Sequence, residues 1–110
     1  MYSLNEIKKY SDKIAKKYNP EKIILFGSAA RNKTNKNSDV DILIIMNHGG
    51  RSVEQAFRIR KTIPPSFPMD IFIRKPEQIN DRIKKGDFFI KEITQKGKVL
   101  YEAIDARMGG

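Results

Sequence analysis

At 110 residues the chain has length for one domain with a real core, and too little for a catalytic domain plus a separate acceptor-binding domain. It has no cysteine and a single histidine, His48, which excludes a disulfide framework and a thiolate or histidine-based metal site. The net charge of +9, from 22 basic and 13 acidic residues, would suit a polyanionic partner. The basic residues are scattered, however, so a solvated lysine-rich surface competes with a nucleic-acid stripe, and direct nucleic-acid binding is not favoured.

The first residues, Met1 to Glu6, carry no apolar signal-peptide core, and the longest apolar run, 42–46, is far too short to span a membrane. A cytoplasmic protein is the expectation. The predicted elements begin with an amphipathic helix over 2–18. Leu4, Ile7, Ile14 and Ala15 fall near helical spacing, lysines fill the other face, and Ser3 with Glu6 reads as a capping box. Asn19-Pro20 ends it. A strand over 23–26 follows, apolar on both faces and so expected at the centre of a sheet. Gly27-Ser28 and the small residues Ala29-Ala30 then lead into a short helix, and 32–37 is a polar loop. Ser38 is placed to bond locally and fix the entry of a second strand over 39–46.

After a break at 47–50, a helix is predicted over 52–63, capped by Ser52, with Val53, Ala56, Phe57 and Ile63 on its buried side. The proline-rich 64–68 makes a stiff connector. A third strand runs over 69–74 and opens with Asp70. A helix over 76–85 starts with Pro76 and ends at Gly86; a further helix over 88–95 is capped by Asp87 and stopped by Gly97. A last short strand covers 99–101. Residues 1–104 form one domain on this reading, and 105–110 a frayed tail.

Asp39 and Asp41 are the informative pair. Residues i and i+2 of a strand point the same way, so both carboxylates share one face at the start of an otherwise apolar strand. Aspartate is disfavoured in strands and two like charges repel, so the arrangement calls for a cation between them. Carboxylate oxygens are hard ligands suited to Mg²⁺, which commonly takes one or two carboxylates plus substrate phosphates. Gly27-Ser28, at a strand-to-helix turn, offers free backbone N–H groups, a helix dipole and a hydroxyl to a phosphate. Arg31 suits either a phosphate contact or an ion pair with an aspartate. A third strand beside the second would bring Asp70 to the same place.

Gly27-Ser28, the spaced Asp39-x-Asp41 and the flanking apolar runs resemble the signature of the DNA polymerase β-like nucleotidyltransferases. The fuller string from Gly27 to Ile45 is similar to their smallest branch, the minimal nucleotidyltransferases. The resemblance covers most of the chain, from about Leu4 to Glu102; Asn32 stands where relatives often have Gly. It implies an α/β (α+β) fold, a small mixed sheet flanked by helices. It also implies transfer of AMP from ATP to a hydroxyl, with Asp39, Asp41 and Asp70 as the catalytic, metal-holding carboxylates for Mg²⁺, two ions in all. Gly27, Ser28, Arg31 and Ser38 would bind the nucleotide. Minimal nucleotidyltransferases commonly serve as the antitoxin of a pair whose toxin is a HEPN-type ribonuclease, and the implied acceptor is a tyrosine of that toxin in a hetero-oligomer. The alternatives are a non-catalytic antitoxin that masks its partner, and a transferase acting on RNA ends or a small molecule.

Overall fold

The computed structural model describes residues 3–27 and 40–104. The elements run α1 (Leu4–Tyr18), β1 (Lys22–Phe26), β2 (Val40–Ile45), α2 (Ser52–Thr62), β3 (Met69–Arg74), α3 (Pro76–Lys84), α4 (Phe88–Lys96) and β4 (Lys98–Glu102). Four strands form one sheet in the order β3-β2-β1-β4. β1 is antiparallel to both its neighbours, and β2 is parallel to β3. The result is the small mixed sheet flanked by helices that the sequence implies. Ser28, Arg31, Ser38 and Asp39, with the short helix expected after Ser28 and the tail 105–110, lie outside the described residues.

Local chemistry explains the boundaries. The Ser3 hydroxyl accepts from the Glu6 N–H at 3.1 Å and caps α1. Asn19 closes it at φ 50°, and its N–H reaches the Ala15 carbonyl. The Asp87 carboxylate accepts from the Ile90 N–H and starts α4. Along β1 and β2 alternate side chains enter two separate cores. Ile23, Leu25, Ile42 and Ile44 join Ile7, Tyr10 and Ile14 of α1 and Ile59 of α2 on one face. Ile24, Phe26, Leu43 and Ile45 join Ile79 of α3 and Ile90 and Ile93 of α4 on the other. Burial on both faces is why these two strands read as continuous apolar runs.

Helix α2 departs from expectation. Arg51, not Ser52, is the N-cap, and the buried residues are Gln55 and Ile59. Val53 and Phe57 are 72% and 65% exposed. A 3.6-residue period permits two stripes in this segment, one through Val53 and Phe57 and one through Ala56, Ile59 and Ile63. Tertiary contacts select the second. Ile59 sits in the core with Ala56 and Ile63 packed against it, Tyr10 donates its hydroxyl to the Ile63 carbonyl, and Arg60 donates to the Met69 carbonyl.

Candidate active site

The register of the sheet builds the site. Phe26, the last residue of β1, lies opposite Asp41, and Asp41 lies opposite Asp70 in the parallel β2–β3 pair. Partners in register share a face, and strands in a ladder are about 4.8 Å apart. Asp41 and Asp70 therefore stand side by side where β2 and β3 begin and β1 ends. Their face is that of Leu43 and Ile45, the one covered by α3 and α4. The backbone thus joins Asp41 and Asp70, which are far apart in sequence.

Gly27 follows directly. It has φ +74°, and a Cβ built on it would lie 2.6 Å from the Asp41 Oδ2. The backbone conformation and the close approach both require glycine here. The hydrogen of Gly27 gives the Asp41 carboxylate its space. Asp41 is half-buried and opens into a cleft of about 370 Å³, lined by Phe26, Gly27 and Asp41 on the strand side and by Phe89, Glu92 and Lys96 of α4 on the other. That volume lies in the range of small-ligand sites.

Asp70 is placed differently. It lies on the edge strand, more than half exposed, outside the lining of the cleft. Arg60 comes round the sheet edge from α2 to within 4.0 Å of its carboxylate. An exposed pair at that separation is weak, so Asp70 remains available to a stronger cation. Among the described residues no three acidic or histidine side chains cluster as a ready metal cage. The described donors are Asp41, next to the space that Gly27 leaves open, and Asp70 beside it on β3, both oxygen donors. Hard oxygen donors of this kind fit Mg²⁺, which takes the rest of its shell from water and substrate.

The α4 wall was not assigned to the site by sequence reasoning. Phe89, Glu92 and Lys96 follow helical spacing and share a stripe, which is the signal they carry. The stripe lines the cleft opposite Asp41, and the helix that carries it ends in close contact with β1 at Gly97. A Cβ there would run into the Ile24 side chain and come within 2.6 Å of the Ile93 carbonyl and 2.9 Å of the Leu25 carbonyl. Without one, the end of α4 presses directly onto β1.

The polymerase beta nucleotidyltransferase family model matches residues 5–105. The chain belongs to that family. Similar solved structures agree in fold. One, a Sulfolobus solfataricus protein held to be a nucleotidyltransferase, superposes with a TM-score of 0.62 at 18% identity, over 90% of this chain and 79% of its own. Another is a toxin–antitoxin assembly solved with AMP-PNP, with a TM-score of 0.52 at 20% identity, over 96% of this chain and 80% of that one. No curated protein matches significantly. None of the described helices is long and apolar enough to cross a membrane.

Proposed function

We propose that the chain is a Mg²⁺-dependent adenylyltransferase that moves AMP from ATP to a protein hydroxyl, and that it is the antitoxin of a toxin–antitoxin pair. The acceptor on this reading is a tyrosine of a HEPN-type toxin. One observation carries the proposal: Asp41 beside Gly27 in the lining of a cleft, with Asp70 in register next to it on β3, in a chain of this family. The toxin–antitoxin assembly with AMP-PNP supports the choice of partner and nucleotide.

Phosphoryl-group transfer needs positioning and charge neutralisation more than covalent help. Asp39 and Asp41 would hold Mg²⁺, with Asp70 a ligand of a second ion. When bound, such ions neutralise charge on the triphosphate and on the attacking oxygen. Gly27 and Ser28 would hold the β- and γ-phosphates, with Arg31 and Ser38 beside them. The acceptor oxygen forms a bond to the α-phosphorus, and the bond from that phosphorus to the bridging oxygen breaks. Pyrophosphate leaves with the electron pair, and the hydroxyl proton passes to the Asp70 carboxylate and on to water.

The test is transfer of label from ATP carrying it on the α-phosphate, with Mg²⁺ and the co-expressed partner. Label should appear on a protein band and fall by about a hundredfold or more in Asp41→Asn, as expected when a charge-stabilising group is removed. Label on RNA would replace this reading with an RNA-end transferase. If Asp41→Asn loses transfer yet still protects against the partner, masking by binding accounts for the antitoxin role.

A further inference from the structure

Helix α4 brings to the cleft an arrangement that the carboxylate chemistry does not use. Phe89, Glu92 and Lys96 lie on one stripe of the helix, and all three line the cleft opposite Asp41. Phe89 stands at one end, 53% exposed, with its ring in a T-shaped contact with Phe26 at a centroid distance of 5.9 Å. Lys96 stands at the other end, with its side chain 70% exposed and a loose 3.8 Å approach to Glu92. Seven residues of helix separate the two by about 10 Å. An exposed aromatic face, two turns of helix and a cation along one cleft match a ligand with an aromatic ring at one end and a polyanion at the other.

Each residue has an ordinary structural role. A lysine in a last helical turn complements the helix dipole, and Phe89 shields Phe26. Neither role explains why both residues line the cleft of Asp41. The neighbouring side chains add to the case. Phe26, which lines the cleft with Phe89, also meets Phe72 at a ring-centroid distance of 5.6 Å. A base can stack there, because every base has a π-face and stacking on an aromatic side chain is sequence-tolerant.

We propose that α4 is the second wall of the nucleotide site, with Phe89 stacking the base and Lys96 neutralising the terminal phosphates. The inference rests on the reading of this cleft as a nucleoside triphosphate site and assigns it a polarity: base toward the start of α4, phosphates toward its end. Both are binding residues with no part in bond making.

The experiment measures binding of ATP, AMP and inorganic tripolyphosphate, each with Mg²⁺, to the full chain and to Phe89→Leu, Lys96→Gln and Asp41→Asn. Thermal melts check that each variant is folded. Phe89→Leu should weaken ATP and AMP by about tenfold, the usual scale of a lost stacking contact, and leave tripolyphosphate unchanged. Lys96→Gln should weaken ATP and tripolyphosphate by about tenfold and spare AMP. A purely structural role would move all three ligands together in a folded variant, and that result overturns the assignment. If the native chain binds ATP and Asp41→Asn does not, but both α4 variants bind as the native chain does, the α4 wall is wrong and the nucleotide site stands. If the native chain binds neither ATP nor tripolyphosphate, the nucleotide reading and the inference fall together.

Discussion

On one face of the sheet, α1 and α2 seal Ile23, Leu25, Ile42 and Ile44 completely, and Tyr10, Phe67 and Ile59 fill the space around them. On the other face, α3 and α4 cover Ile24, Leu43 and Ile45 but stop short of the strand ends, where Phe26, Gly27 and Asp41 open into a cleft. A large apolar side chain stays partly exposed at that opening, Phe89 at 53%. The same two strands supply both faces, so the difference lies in how far the helices reach. The closed face carries the stability, and the open face trades packing for access to a carboxylate.

Substitutions test whether the two faces are independent. The largest stability effect is expected from Ile44→Ala on the closed face. Ile44 is fully buried, and its truncation should cost about 2–5 kcal/mol, read by denaturant unfolding. Nucleotide binding below the unfolding transition should be unchanged. If binding drops in the folded variant, the two faces are not independent.

Gly97→Ala tests the hinge between the faces. Its Cβ meets two backbone carbonyls as well as a side chain, so local relaxation must move α4 away from β1. A loss of about 3 kcal/mol is expected, at the upper end for overpacking, together with an altered cleft. A loss of stability with the cleft's ligand affinities intact would show that α4 keeps its pose without the close contact.

The smallest effect is a pH dependence confined to the closed face. Burial pushes the Tyr10 hydroxyl up from 10.0 to about 12, and it donates to the Ile63 carbonyl at 2.6 Å. In the unfolded chain the phenol ionises near its ordinary value. The stabilisation is therefore complete below pH 10 and is lost as pH rises toward 12, by an amount on the order of 2 kcal/mol. Tyr10→Phe should flatten that part of the stability profile. An unchanged slope would mean that another group titrates there.

Much of the architecture was legible in the chain. Apolar runs on β1 and β2 signalled central strands because both faces are buried. Ser3, Asn19, Asp87 and Gly97 marked helix ends through cap chemistry that acts over a few residues. Asp70 is expected near the pair Asp39 and Asp41 only if the third strand lies beside the second, and the parallel β2–β3 register supplies that condition. The failures share a cause. The buried stripe of α2 and the orientation of α4 are decided by contacts with distant segments, Tyr10 with Ile63 in one case and Gly97 with Ile24 and Leu25 in the other. Periodicity cannot choose between two stripes that differ by a rotation, and it cannot show that a glycine written as a helix stop is also a point of contact.

The central position of β1 also shapes how the chain folds. Its two neighbours reach it from very different distances along the sequence: among the described elements β2 is the next strand, whereas β4 comes after all the others. Closing so long a segment is slow compared with local pairing. During synthesis the outer edge of β1 stays unpaired until Lys98–Glu102 have emerged, roughly 5–15 s later at ribosomal speed. For that interval the most apolar strand pair of the sheet presents an open edge that another chain could pair with. The nascent protein is thus most prone to aggregate just before its final strand arrives, and slower translation of that stretch would lengthen the exposure.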